Sequence, residues 1–153
     1  MTICVLGFDV GSRRIGVAVG NTLSQTARAI AMVAANDSGP DWKQVEALVR
    51  EWRPDRIIVG EPLTLDGEAQ LATHIARRFA KEAAQRFGVP VDLVDERSSS
   101  READRRFAEQ RKQGTARRRD AAMQDAMAAQ IIVERWLREG ENLPAMPPSH
   151  SDF

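Results

Sequence analysis

The chain has 153 residues with 22 basic and 22 acidic side chains, so its formal net charge is zero. This length fits one domain of ordinary size, and an apolar fraction of 42% is too high for a disordered chain. The single cysteine, Cys4, excludes an intramolecular disulfide and a zinc site built from several cysteines.

The first third of the chain alternates short apolar runs with turn signals, a pattern that predicts three strands and a helix. The opening run and the run after the Gly-Ser turn are close enough in sequence to pair as a hairpin. We predict, in chain order, strands at 3–8, 14–20 and around 28–34, a loop at 36–40, and a helix from Trp42 to Trp52 that Pro54 stops.

The rest of the chain alternates strands with helices. Apolar residues recur every four positions from Leu71 to Phe87, which is typical of one face of a helix, and Gly88 closes it. We further predict strands at 56–60 and 90–95 and helices at 99–113 and 120–138.

The order of these elements predicts a mixed α/β fold: a three-stranded antiparallel start and then two parallel strands, with helices on both faces of the sheet. The domain is predicted to span residues 1–138, and residues 139–153, which include three prolines and two serines, are predicted to form a flexible tail. The sequence predicts no membrane span and no export signal, so we expect a cytoplasmic protein with no membrane partner.

The zero net charge conceals an uneven distribution. Residues 97–119 contain nine basic and three acidic side chains, a local charge of +6, and the rest of the chain carries −6. A basic segment of this kind attracts polyanions even when the total charge is zero. Neutrality therefore does not exclude a nucleic-acid partner, although a solvated helix face explains the same charges equally well.

Three carboxylates stand out from their predicted surroundings. Asp9 ends an apolar strand, Glu96 follows the strand at 90–95, and Asp125 lies within an apolar helical stripe. Each also has an ordinary explanation: a turn cap for Asp9, a solvated loop acid for Glu96 and a core salt bridge for Asp125. Because hard cations prefer carboxylate oxygens, the three acids together indicate a site for Mg²⁺ or Mn²⁺.

Four segments resemble the motifs of the YqgF/RuvX family, in that family's order. The first is Phe-Asp-Val-Gly-Ser-Arg-Arg-Ile-Gly-Val-Ala at 8–18, and the second is Ile-Val-Gly-Glu-Pro-Leu-Thr-Leu-Asp-Gly at 58–67. The third is Val-Asp-Glu-Arg-Ser-Ser-Ser at 94–100, and the fourth is Gln-Asp-Ala-Met-Ala-Ala-Gln-Ile-Ile at 124–132. Members of this family are described as pre-16S rRNA nucleases and as Holliday-junction resolvase-like proteins.

The resemblance implies an RNase H-like fold and a metal-dependent endonuclease that hydrolyses phosphodiester bonds in 5′-end maturation of pre-16S rRNA. It implies that Asp9, Glu96 and Asp125 are both the catalytic residues and the ligands of Mg²⁺ or Mn²⁺. The chain departs from the family pattern at Glu61, a position where leucine is usual. We expect Glu61 to lie near the site. The chain also departs from the pattern at Gln124, where a small or apolar residue is usual.

Six arginines are predicted to bind nucleic acid, because the planar guanidinium group suits phosphate oxygens. The predicted set is Arg13, Arg14, Arg97, Arg117, Arg118 and Arg119. For the two beside the Gly11 turn, exposed hairpin charges are the alternative explanation. We expect the partner to be structured RNA or branched DNA, and the protein to be a monomer or a weak homodimer.

Three alternatives remain open from the sequence. An ATPase of the sugar-kinase or actin type shares an Asp-x-Gly phosphate motif, but that architecture needs two such domains. A non-catalytic RNA-binding scaffold would have no need for all three acids. A Holliday junction resolvase acting on branched DNA would share the fold and the acids, and it would need two active sites and hence a dimer.

Overall fold

The described residues are arranged around one mixed β-sheet. The computed structural model describes residues 3–64, 66–95 and 120–140, and the side chains of 126–139 within the last range. Six strands hydrogen-bond in the order β4-β3-β2-β1-β5-β6. Their bounds are β1 Cys4–Val10, β2 Arg14–Asn21, β3 Thr26–Asn36, β4 Gly39–Pro40, β5 Arg56–Glu61 and β6 Val91–Asp95.

The strand directions confirm the predicted mixed sheet. β1 pairs antiparallel with β2 and parallel with β5, while β3 runs antiparallel to β2 and β6 parallel to β5. Two local predictions are wrong. β3 is longer than 28–34, and residues 36–40 are not simply a loop, because Gly39–Pro40 pairs with the end of β3. Pairing with a neighbouring strand lengthens β3, and the local hydrophobic pattern carries no signal for it.

Three helices occur in the described ranges: α1 Trp42–Trp52, α2 Leu71–Phe87 and α3 Asp120–Gly140. The Asp41 side chain accepts hydrogen bonds from two backbone N–H groups of the first turn of α1, which satisfies donors that the helix itself leaves unpaired. Gly88 ends α2 with a φ of 63°, a left-handed conformation that costs glycine little. These local signals explain why α1 and α2 have the predicted bounds, whereas α3 extends two residues beyond 138.

Each face of the sheet has its own apolar core. On one face, Phe8 of β1 contacts Phe79 of α2 with ring centroids 5.0 Å apart, and Trp42 of α1 stacks on Phe79 at 5.1 Å. On the other face, α3 supplies Ala129, Ile132 and Val133, among others, to a second buried cluster. The prediction of helices on both faces is therefore confirmed.

Helix α3 crosses the strands instead of following one of them. Ala29, Gly7 and Asp92 belong to one row of paired positions that runs from β3 to β6. The Gln130 side chain accepts a hydrogen bond from the Ala29 N–H at 3.0 Å, and the Trp136 Nε1–H donates to the Asp92 carboxylate at 3.0 Å. One helix therefore contacts the sheet from its antiparallel part to its last parallel strand.

Some predictions fall outside the described ranges. These are the helix at 99–113 and the tail that begins at 139, of which the described part is helical to 140. In the described ranges, no helix is both long enough and apolar enough to cross a membrane.

The Asp55 carboxylate holds the beginning of β1. Its Oδ2 accepts hydrogen bonds from the N–H groups of Ile3 at 3.0 Å and Cys4 at 2.9 Å, and the Asp55 N–H donates to the Cys4 carbonyl at 2.7 Å. The hydrogen bond from Cys4, and then that from Ile3, lowers the pKa of Asp55 below its ordinary value. The folded protein therefore favours the ionised form of this carboxyl.

The lowered pKa predicts a pH-dependent contribution to stability. The Asp55 carboxylate stabilises the fold above its ordinary pKa of about 3.9, and this contribution is lost as the pH falls through the lower pKa of the folded state. Asp55→Ala should therefore destabilise the protein more at pH 7 than near pH 3, measured by urea unfolding. Asp37→Ala, which removes an exposed turn carboxylate, is the matched control for the loss of a negative charge. An equal effect of Asp55→Ala at both pH values would contradict the prediction.

Candidate active site

Asp9 lies near the carboxyl end of β1, a central strand of the sheet. Its backbone pairs with Gly16 of β2, and its side chain is partly buried. Because β1, β5 and β6 run parallel, their carboxyl ends share one edge of the sheet. Ligand sites of open α/β sheets lie outside this edge, so Asp9 is placed where such a site is expected.

The alternation of side chains along β1 assigns Asp9 to the face that α3 covers. Leu6, Phe8 and Val10 belong to the core under α1 and α2, whereas Val5 belongs to the core under α3. Successive side chains of a strand point to opposite faces, so positions 5, 7 and 9 share a face. Asp9 therefore shares its face of the sheet with the helix that carries position 125.

The turn after β1 places two of the predicted arginines beside Asp9. The Gly11 N–H donates to the Arg14 carbonyl at 2.9 Å, and a Cβ at position 11 would lie only 2.7 Å from that oxygen. A side chain at position 11 would thus strain the turn. Arg13 and Arg14 are both exposed at this edge, which is compatible with phosphate binding and equally with solvated hairpin charges.

Glu61, the unusual acid at the end of β5, lies on the opposite face from Asp9. Its neighbours Ile57 and Val59 belong to the core under α1 and α2, and Glu61 itself forms an ion pair with Arg77 of α2 at 2.6 Å. The Glu61 side chain is only 18% exposed. The carboxylate therefore ties β5 to α2 and is already paired, so the structure places it beside the expected edge but not facing the α3 side.

A closed loop joins the carboxyl end of β5 to α2. The fully buried Thr73 hydroxyl donates to the Pro62 carbonyl and accepts from the Gln70 N–H at 2.9 Å. The Thr64 N–H donates to the Glu68 carbonyl at 3.0 Å. These bonds fix the start of α2 beside the edge that carries Asp9.

Helix α3 approaches β1 and β2 closely because two glycines leave room for Val133. A Cβ added at Gly7 or at Gly20 would overlap the Val133 side chain. Gly7 lies two residues before Asp9, and Val133 lies two helical turns after Asp125. The Arg135 guanidinium also donates to the Asp95 carbonyl at 2.6 Å, at the end of β6. The position of α3 is thus set against both strands that precede predicted site residues.

The predicted site is only partly within the described residues. Asp9, Arg13 and Arg14 are described and lie together around the first turn. Position 125 is described as part of the α3 backbone, and Glu96 directly follows β6. Outside the described ranges are Glu96, Arg97, Arg117, Arg118 and Arg119. In the ranges that are described, no group of three metal-ligating side chains occurs, so the predicted ligand set stays a prediction.

Sequence reasoning missed two residues that shape this edge, Arg77 and Thr73. The periodicity of α2 identified its buried face but gave no partner for a polar residue on it. A signal was present in the sequence for one of them: the acid at position 61 replaces an expected apolar residue, and such an acid needs a cation nearby.

A cavity of about 500 Å³ lies at the other end of β1, far from Asp9 along the strand. Trp52 and Arg28 form one side of it, with the guanidinium 5.8 Å from the centre of the indole ring. It is lined by Cys4, Val19, Gly20, Asn21, Thr26, Ala27, Arg28 and Trp52. The cavity belongs to the amino edge of β1, so it is not part of the candidate site.

Comparison with known sequences gives a match over almost the entire chain. Residues 3–139 match the profile of a family described as "RuvX: Holliday junction resolvase". A protein of Xanthomonas oryzae pv. oryzae (strain PXO99A), named "Putative pre-16S rRNA nuclease", is 54% identical over 143 residues, which cover 94% of this chain and 92% of that protein. A protein of the same name from Xanthomonas axonopodis pv. citri (strain 306) is 52% identical with the same coverage.

Comparison with solved structures identifies the fold. RuvC of T. thermophilus in complex with a Holliday junction substrate superimposes with a TM-score of 0.56 at 18% identity, covering 92% of this chain and 96% of that one. The Fowlpox virus resolvase in complex with Holliday junction DNA gives a TM-score of 0.56 at 12% identity, covering 90% and 98%. At identities this low, structural similarity is evidence for the fold alone. The superpositions confirm the RNase H-like fold implied by the sequence motifs.

Proposed function

Because the chain belongs to the RuvX family, we propose that it is a metal-dependent endonuclease that hydrolyses phosphodiester bonds in 5′-end maturation of pre-16S rRNA. The observation that carries the proposal is Asp9, a partly buried carboxylate at the carboxyl edge of a central strand, on the face that α3 covers. The names of relatives that are 52–54% identical support the substrate.

Asp9, Glu96 and Asp125 are the proposed metal ligands. Positions 92 and 94 of β6 lie on the α3 face, since Asp92 bonds to Trp136 and Val94 belongs to the core under α3. Glu96 is the next residue in the sequence after β6. Three carboxylates without histidine or cysteine suit Mg²⁺ or Mn²⁺, and a bound ion of this kind would activate water and stabilise charge on the phosphate.

The chain's own residues then have separate tasks. The three carboxylates would hold the divalent cation, and the charge of the cation would offset their repulsion of a phosphate backbone. Arg13 and Arg14 neutralise phosphates next to the cleaved bond. The loop that Thr73 closes keeps the start of α2 fixed beside the edge, so the substrate meets a rigid surface.

A Holliday junction resolvase is the second candidate, and the description of the matching family favours it. It shares the carboxylate site and differs in its substrate and in its need for two symmetric active sites. A dimer that places two Asp9 residues across one junction would support it.

The test compares two substrates under three conditions. A pre-rRNA 5′ fragment and a four-way DNA junction are incubated with the protein in Mg²⁺, in Mn²⁺ and in chelator. We expect cleavage of the RNA fragment with either metal and none in chelator. Cleavage of the junction alone would replace the first candidate by the second, and cleavage unchanged in chelator would contradict the metal site.

A further inference from the structure

Helix α2 presents a positively charged outer ridge to solvent. Its buried side is formed by residues such as Ala76, Phe79 and Ala83. Since successive residues of an α-helix are rotated by 100°, positions opposite that side form one line along the helix. This outer ridge consists of His74, Arg78, Lys81 and Gln85, all of which are exposed.

Basic side chains outnumber acidic ones on helix α2. Within Leu71–Phe87 there are four basic side chains and a single acid, Glu82, so the helix carries +3 in a chain whose net charge is zero. Glu82 is paired with Arg86 at 2.7 Å. Glu61 of β5 is paired with Arg77 of the helix at 2.6 Å.

Two cations of the outer ridge have no side-chain partner among the described residues. In the part of the chain that the structure describes, neither Arg78 nor Lys81 forms an ion pair or hydrogen bond through its side chain. They lie three positions apart, so both project from the same side of α2. No packing or pairing role within the described fold explains them.

The first turn of α2 lies at the edge of the sheet that carries Asp9, while α2 itself covers the face of the sheet opposite to Asp9. Helix α2 follows the carboxyl end of β5, and the bonds of Thr73 to the loop and of Arg77 to Glu61 hold its first turns there. From position 74 to position 85 a helix advances about 16 Å. A duplex strand carries one charge per about 3.4 Å of axis, so a ridge of this length passes several phosphates.

We propose that the outer ridge of α2 binds the phosphate backbone of a double-stranded segment of the substrate, with Arg78 and Lys81 as the contacting cations. This inference rests on the proposed function, because the bound duplex is the one cut at the Asp9 edge. The outer ridge lies outside the four sequence motifs, so it is an additional binding surface. The substrate class that it implies is a nucleic acid with a double-stranded stem next to the cleavage position.

The test measures binding of a fluorescent RNA duplex of about 20 base pairs as a function of salt, in chelator so that nothing is cut. For R78A/K81A we expect the slope of log Kobs against log[salt] to fall by about 2, and the affinity at 0.1 M salt to fall at least roughly tenfold. K43A/R50A removes the same charge from exposed positions of α1 and should keep the wild-type slope. R78K should also retain it, because the charge is preserved.

Cleavage kinetics separate the two proposals. On a substrate with a long stem, R78A/K81A should raise KM and leave kcat unchanged. If R78A/K81A keeps the wild-type salt slope, or if K43A/R50A lowers the slope by the same amount, the outer ridge is not the duplex-binding surface. Either result would leave the proposed nuclease function intact. Wild-type protein that cuts no nucleic acid in metal would instead overturn the proposed function.

Discussion

Asp9→Asn is expected to lower the cleavage rate about 10³-fold at saturating substrate, with the fold retained. Asparagine keeps the size and most hydrogen-bonding capacity of aspartate but lacks its charge, so it holds a divalent cation poorly. Loss of that interaction should cost about 4 kcal/mol of transition-state stabilisation. Single-turnover cleavage of the pre-rRNA fragment in Mg²⁺ measures the rate, and thermal unfolding checks the fold.

The companion variants define the proposed metal site. Glu96→Gln and Asp125→Asn should cause losses of similar size, because each removes one proposed ligand. Asp37→Asn removes a carboxylate from an exposed turn and should retain the wild-type rate. Duplex binding in chelator should be unchanged or slightly stronger in the three site variants. Full activity in all three, with the fold intact, would contradict the carboxylate site.

Gly7→Ala is expected to destabilise the protein by about 1–3 kcal/mol and to reduce activity beyond that effect. The added methyl group would overlap Val133, so α3 must move away from β1. Because α3 carries position 125 and β1 carries Asp9, the shift would separate two proposed ligands, and a misplacement of about 1 Å can cost about 10²-fold in rate. Urea unfolding and cleavage at saturating Mg²⁺ measure the two effects.

A second substitution tests whether the contact itself is responsible. Val133→Ala alone should cost roughly 1–3 kcal/mol, since it leaves space in a packed core. In Gly7→Ala/Val133→Ala the methyl group of position 7 fills that space, so the double variant should be more stable than the sum of the single effects predicts by about 1–3 kcal/mol. Strict additivity would mean that the glycine serves another purpose.

The bounds of α1 and α2 could be predicted because their signals are local. The apolar positions of α2 recur at helical spacing, and Gly88 supplies the left-handed residue that ends it. The strand at 28–34 was predicted too short for the opposite reason. The ends of β3 are stabilised by β2 and by β4, and those partners are not visible in the local pattern.

The location of Glu61 could be predicted from the sequence only in part. The acid was recognised as unusual and expected near the site, and it does end β5 at that edge. Its partner and its face were not predictable, because Arg77 is 16 positions away and its reach depends on how α2 packs on the sheet. The ion pair assigns Glu61 to the α2 side, away from Asp9.

The sequence by itself determined the family, the order of the described elements apart from β4, and the identity of the three candidate carboxylates, since motifs and periodicity are properties of neighbouring residues. Only the tertiary structure decided that Asp9 shares a face with α3 and that Gly7 and Gly20 leave space for the Val133 side chain. It also decided that Arg78 and Lys81 of α2 have no ion-pair or hydrogen-bond partner among the described residues. Each of these depends on contacts between residues far apart in the chain, and such contacts are set by how helices pack on the sheet.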